Sequence, residues 1–190
     1  MPKTTSHSSI ILDIDDLPPI VERYRQAGKK IVLTQGSFDM VHIGHARYCE
    51  EAKKHGDILI VGVDSDEKVS FRKGPDRPVV PQEERLEMLT YLRPVDLVVL
   101  KELHAPKLHL IKTVKPDVLI ATKETYTPEE IKNLEKICGK VVVLEPMATT
   151  STSAKLRLLQ MGAAKKIGAT MSARLIAAME EVLQELKGEK

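Results

Sequence analysis

The chain of 190 residues has no tryptophan, two cysteines and only 3% aromatic residues. Aromatic poverty excludes a base-stacking surface of the kind that reads single-stranded nucleic acid. Two cysteines, Cys49 and Cys138, cannot build a disulfide framework or a Cys-only metal site. That pattern is the one expected of a reduced, cytoplasmic protein. No apolar run approaches the roughly 18 residues of a membrane span. The opening residues MPKTTSHSS lack the apolar core of a secretory signal. Charge of one sign is also missing: 29 basic against 27 acidic residues leave +2. A polycation for non-specific nucleic-acid binding and an acidic disordered chain are both excluded.

What the chain does have is aliphatic. Apolar residues make up 42%, enough for a core. Residues 1–9 are polar, and 10–17 read as a loosely packed lead-in. Pro18-Pro19 opens a helix that Gly28 ends. Runs rich in Val, Ile and Leu follow at 30–35, 57–63, 95–100, 117–121 and 140–145. Helical patterns alternate with them at about 44–55, 65–70, 82–92, 105–115 and 128–138. Several carry start signals: Asp64 with Glu67 as a capping box, Pro81 before QEERLEML, and Thr127-Pro128-Glu129-Glu130.

Strand and helix in strict alternation predict parallel strands joined by right-handed crossovers. Strands that are apolar on both faces predict a covered sheet. The expected fold is α/β, a Rossmann-like doubly wound parallel sheet with an added C-terminal helix. The expected organisation is an N-terminal extension over 1–17, a catalytic domain over 18–160 and a helical appendage over 161–190. Met171, Leu175, Ile176, Met179, Val182, Leu183 and Leu186 recur at helical spacing, a stripe for the domain or for a second copy of the chain.

Chemistry concentrates after the first long strand, in Gln35-Gly36-Ser37-Phe38-Asp39-Met40-Val41-His42-Ile43-Gly44-His45. Gly36 permits a close backbone turn. The following helix offers unpaired N–H groups and a positive dipole end to phosphate. His42 and His45, three apart, can face one side, and Gly44 leaves no side chain between them. Two imidazoles there can donate to oxygens that gain charge in phosphoryl transfer. The same residues also fit two blander readings. Either histidine can be an ordinary helix-start residue, and with Cys49 they make three metal ligands without a visible fourth.

The segment G-S-F-D-M-V-H-I-G-H resembles the signature of the H-x-G-H nucleotidyltransferases, the cytidylyl- and adenylyltransferase superfamily. Thr150-Ser151-Thr152-Ser153 resembles the Ser/Thr element of that superfamily at a helix start. The middle block, Arg72 to Pro81 (R-K-G-P-D-R-P-V-V-P), then Glu84-Arg85 and Arg93-Pro94-Val95-Asp96, is most similar to heptose 1-phosphate adenylyltransferases of lipopolysaccharide-precursor synthesis. The resemblance covers about 18–160.

The resemblance implies AMP transfer from ATP to a sugar 1-phosphate, with release of pyrophosphate. It implies catalysis by His42, His45 and Lys73. Nucleotide contacts fall to Gly36, Ser37, Phe38, Gly44, Arg93, Asp96, Ser151, Thr152 and Ser153. Acceptor contacts fall to Asp39, Asp64, Asp66, Arg72, Arg77 and Arg85. Mg²⁺ is expected with ATP rather than on protein side chains. The expected partners are ATP and a small phosphorylated acceptor, with no nucleic acid and no membrane, in a homodimer. Lys73, Arg72 and Arg77 also read as solvated loop charges, Asp64 as a helix cap, and Asp96 as a structural partner of an arginine.

The match has departures. Pro146 stands where cytidylyltransferases commonly carry an arginine, which favours ATP over CTP. Ala121 to Tyr126 lacks the K-G-G-D-Y-like glycines and aspartate of the heptose enzymes. Other acceptors therefore stay in view: flavin mononucleotide, or a polyol phosphate or phosphonate with CTP. A non-catalytic nucleotide-binding regulator is the alternative of another class.

Overall fold

A computed structural model of the chain describes residues 9–122, 126–145, 147 and 152–188; the side chains of the last segment are described only in part. Six parallel strands form one sheet: β1 (Ile10–Ile11), β2 (Ile31–Gly36), β3 (Ile58–Asp64), β4 (Leu97–Lys101), β5 (Val118–Thr122) and β6 (Lys140–Leu144). Their order is β1-β4-β3-β2-β5-β6. Helices α1 (Leu17–Gln26), α2 (Ile43–Lys53), α3 (Asp66–Lys73), α4 (Gln82–Thr90), α5 (His109–Val114) and α6 (Pro128–Leu134) connect the strands.

Alternating strand residues feed two cores. Ile31, Leu33, Ile60, Leu97, Val99 and Leu119 pack with α1 and α5 through Leu17, Val21, Leu110 and Ile111. Val32, Leu59, Val61, Val63, Val98 and Ile120 pack with α2 and α4 through Cys49, Ala52, Leu86 and Leu89. Burial on both faces is why the strands read as unbroken apolar runs. Both cysteines are buried and unpaired with each other.

Two segments differ from the sequence reading. The lead-in is not loose: Ile10 and Ile11 pair with Val98 and Val99, and Ile14 and Leu17 are buried. Two residues are too short for a strand signal, and only the open edge of β4 makes them one. The tail is one helix, α7 (Thr152–Gly188), so the boundary expected near 160 falls inside it. The chain divides into two compact units, residues 1–149 and residues 150–190, and this helix belongs to the second. Within it Leu158, Met161, Met171, Leu175 and Met179 are exposed. Among the described residues no helix is long and apolar enough to cross a membrane.

Candidate active site

β2 is the central strand where the order reverses, with β3 on one side and β5 on the other. A crevice opens beyond the carboxyl ends of strands at such a point. Gly36 ends β2 there, and the loop 37–42 leads into α2.

The two histidines cap that helix by mutual contact. His42 is the N-cap residue, and its Nδ1 accepts from Gly44 N at 3.0 Å. His45 Nδ1 accepts from His42 N at 3.3 Å, completing a capping box normally built from Ser or Thr and Glu. A ring nitrogen that accepts a main-chain N–H carries no proton itself. This hydrogen-bond pattern therefore assigns the proton of each neutral imidazole to Nε2, as a donor. The rings lie in contact, centroids 4.2 Å apart and planes tilted by 39°, and both are half-buried. They are close enough to serve one anion, and Phe38 lies 5.6 Å from His45 ring to ring. The helix-start reading is thus met by the Nδ1 atoms, and the Nε2 atoms are the ones a donor role would use.

The approach to the helix is strained. Phe38 (φ 48°) and Met40 (φ 52°) occupy the left-handed region that side chains disfavour. Such residues concentrate at ligand clamps. Phe38 and the preceding Ser37 are both buried.

Two expected acceptor contacts are engaged with each other instead. Asp39 is 3% exposed and accepts from Arg77, from Val79 N at 3.1 Å and from Val80 N at 3.0 Å. Burial alone would raise its pKa, but the two amides and Arg77 outweigh it and hold the carboxyl below its usual value. This pair ties the 74–80 loop to the histidine loop. Arg85 corrects the sequence reading outright. It is 1% exposed, and its guanidinium donates to Val80 O (3.0 Å), Ser37 O, Asp64 O (2.8 Å) and Asp66 Oδ1 (2.8 Å). Four of its five N–H donors are committed inside the protein. It positions three loops and meets no acceptor.

Asp64 is also buried, at 1%. It does not cap α3; Ser65 does, accepting from Lys68 N at 3.3 Å. The Asp64 carboxylate binds Arg72 at 2.9 Å and Lys101 at 3.0 Å. Asp66 stays partly exposed at the mouth of the crevice. Lys73 ends α3, and partial desolvation, then Arg77 and Arg72, hold its ammonium below the usual lysine pKa. Gly74 follows with φ 98° and ψ 165°, a conformation that only glycine adopts readily.

Arg93 and Asp96 are not brought to this site. Asp96 precedes β4, at the amino end of the sheet, where it binds Lys53 and accepts from Leu59 N at 2.6 Å. It is a structural partner, though of Lys53 and not of Arg93. Ser151 lies outside the described residues, as do Lys123–Thr125 and Pro146; Thr152 and Ser153 open α7 with their side chains undescribed. Among the described residues no three His, Cys, Asp or Glu are grouped to hold a metal.

Sequence reasoning missed Lys101 and Gln35. Lys101 closes the buried run LVVLK, and a charge ending an apolar strand at the ligand-binding edge was its signal. Gln35 donates to the Tyr126 hydroxyl from the second-last position of β2. Nothing in the local pattern distinguishes it from an ordinary strand-end polar residue.

The chain is 39% identical over 163 residues to bifunctional protein HldE of Sulfurimonas denitrificans, covering 82% of this chain and 32% of that protein. It is 42% identical over 121 residues to bifunctional protein HldE of Geobacter metallireducens, covering 64% of this chain and 24% of that protein. The chain thus spans between a quarter and a third of the length of these curated relatives. A solved structure, the lipopolysaccharide core biosynthesis protein of Thermoplasma volcanium, superposes with a TM-score of 0.55 at 28% identity, over 63% of this chain and 98% of that one. The profile described as cytidylyltransferase-like matches residues 33–178, which include the histidine loop, the R-K-G-P-D-R-P segment and the start of α7. The chain belongs to the cytidylyltransferase-like family.

Proposed function

We propose that this chain transfers AMP from ATP to a sugar 1-phosphate, heptose 1-phosphate first among them. An oxygen of the sugar phosphate attacks the α-phosphorus in line. The bond from that phosphorus to the bridging oxygen breaks, and pyrophosphate leaves with the electron pair. No covalent enzyme intermediate and no proton abstraction are required, so catalysis is positioning and charge stabilisation. The observation that carries the reading is the pair of adjoining imidazoles with both Nδ1 atoms engaged by the main chain.

In this reading the Nε2–H groups of His42 and His45 donate to the triphosphate as charge builds on it. The main chain of Gly36 to Phe38, the Ser37 hydroxyl and the Gly44 turn cradle its oxygens. Lys73 neutralises phosphate charge, and Arg72 and Asp66 face the acceptor. Ser151, Thr152 and Ser153 are assigned to phosphate by resemblance alone. Mg²⁺ enters as part of the Mg·ATP substrate, held by phosphate oxygens. The heptose assignment draws on the K-G-P-D-R-P-V-V-P block, on the relatives called HldE and on the solved relative of lipopolysaccharide core biosynthesis. The exposed Leu158, Met161, Met171, Leu175 and Met179 support a homodimer through α7, which light scattering of the full chain would test. A cytoplasmic setting suits a nucleotide-consuming enzyme with reduced cysteines.

The test is pyrophosphate release with ATP, CTP, GTP and UTP crossed with sugar phosphates, polyol phosphates and flavin mononucleotide. ATP with heptose 1-phosphate should give the highest turnover, and His45→Ala should lower it about 10²–10³-fold. CTP with a polyol phosphate as the best pair would overturn the substrate assignment. Undiminished turnover in His45→Ala would overturn the mechanism.

A further inference from the structure

β3 and β4 end side by side at the binding edge of the sheet, with Asp64 in register with Lys101. Ser65 N donates to Lys101 O at 3.0 Å, and Arg85 donates to Asp64 O at 2.8 Å, so the main chain fixes both strand ends. The Lys101 stem lies over Gly62. A Cβ on Gly62 would fall 2.8 Å from Lys101 Cδ and 2.4 Å from Leu110 Cδ2, so β3 carries glycine where the lysine crosses it.

The two oxygens of the buried Asp64 carboxylate are divided between two cations. Oδ1 accepts from Lys101 at 3.0 Å, and Oδ2 accepts from Arg72 Nη1 at 2.9 Å. The cations differ in setting: the Lys101 side chain is 13% exposed and the Arg72 side chain 54%. Burial lowers the Lys101 pKa, and the charge of Asp64 pulls it back up. Arg72 immediately precedes Lys73, whose ammonium feels its charge. A guanidinium carries five N–H donors in a fork that matches both oxygens of a carboxylate at once. Here Arg72 commits one of them among the described residues. One anion between two cations leaves a net charge of one, and the more exposed of the two is the arginine.

We infer that Lys101 is a positioning residue for the acceptor: by holding Oδ1 of Asp64 it keeps Arg72 on a single bond to Oδ2, and the rest of the guanidinium stays open to the phosphate of the sugar 1-phosphate. The inference rests on the nucleotidyl-transfer reading, in which Arg72 faces the acceptor. Without the lysine, the carboxylate would draw Arg72 into a two-bond fork, neutralise it and take it from the crevice.

The test is pyrophosphate release by the full chain with ATP and heptose 1-phosphate. Lys101→Met removes the ammonium and keeps an unbranched stem over Gly62. KM for heptose 1-phosphate should rise about tenfold, roughly the worth of one charge-assisted hydrogen bond, and KM for ATP should stay within about twofold. Lys101→Gln carries the same expectation should the methionine variant not fold. Adding Asp64→Asn removes the anion that would capture Arg72, so the acceptor KM of the double variant should return to within about threefold of the parent. In an Arg72→Gln background, Lys101→Met should not raise the acceptor KM further. A purely structural lysine would instead leave the double variant at least as impaired as the single one. An unmoved acceptor KM in the single variants, no recovery in the double variant, or additive losses with Arg72→Gln would each overturn the role. Calorimetry with heptose 1-phosphate measures the same affinities without turnover. Turnover with unchanged acceptor affinity in the variants removes the positioning role alone; the expected affinity pattern without pyrophosphate release in the parent removes the transfer reading alone.

Discussion

Arg77 binds Asp39 across 38 residues, through Nε at 2.8 Å and Nη2 at 2.6 Å. Both side chains are almost sealed from water. Cutting such a pair from one side leaves an uncompensated buried charge. Arg77→Met should therefore cost about 3–5 kcal/mol in urea unfolding. Asp39→Asn with Arg77→Met together should cost less than the sum of the single changes. Additive costs would mean that the pair is not coupled as the geometry indicates.

The same carboxylate sets an acid limit. Its folded pKa lies below the unfolded value of 3.8, so the native state binds fewer protons in that window. Its contribution is fully present above the unfolded value and is lost as pH falls through the folded one. Unfolding free energy followed from pH 6 to pH 3 should fall more steeply below about pH 4 in the parent than in Asp39→Asn. Parallel curves would remove Asp39 as a source of that slope.

His42 has two jobs that one substitution separates. Asparagine is a good N-cap, so His42→Asn can keep the bond to Gly44 N while removing the imidazole. Tm should stay within a few degrees of the parent and turnover should fall about tenfold or more. His42→Ala should lose turnover and about 1 kcal/mol of stability as well. Full activity in the asparagine variant would leave the histidine as a cap alone.

Gly74 sits in a backbone region closed to other residues, directly after Lys73. Gly74→Ala meets no neighbouring atom within 4 Å, so any cost is conformational. About 1–3 kcal/mol is expected. Relief of that strain would shift Lys73, and the effect should appear in kcat more than in KM for ATP. An alanine variant of parental stability would show that the turn relaxes freely.

The alternation of aliphatic runs with capped helices made the sheet legible. Thr127 and Glu130 form the expected reciprocal cap, with Thr127 Oγ1 accepting at 3.3 Å and Glu130 Oε2 at 3.0 Å. The histidine loop was legible because spacing three on a helix start determines which faces meet. Long-range pairing was not. Arg85, Asp39 and Arg77 read as ligand contacts because a polar residue near a motif shows its chemistry but not its partner, and most of their partners lie 19 to 48 residues away. Asp96 misled for a similar reason: five strand residues separate it from the binding edge, and a motif match does not say which end of a strand is in use. β1 was invisible because two residues carry no period.

The opposed ends of the parallel strands divide the chain into two kinds of territory. At the amino ends Asp96 pairs with Lys53, and Asp96 and Asp117 accept from the main-chain N–H groups of Leu59 and Ile31. A saturation library scored separately for abundance and for turnover should therefore split along the strand axis. Changes at the starting ends would deplete protein without altering the chemistry of what survives. Changes at the finishing ends, outside the sealed Asp39–Arg77 pair and Arg85, would yield well-populated but catalytically silent clones, and that silent group is where new acceptor preferences could be selected without rebuilding the scaffold.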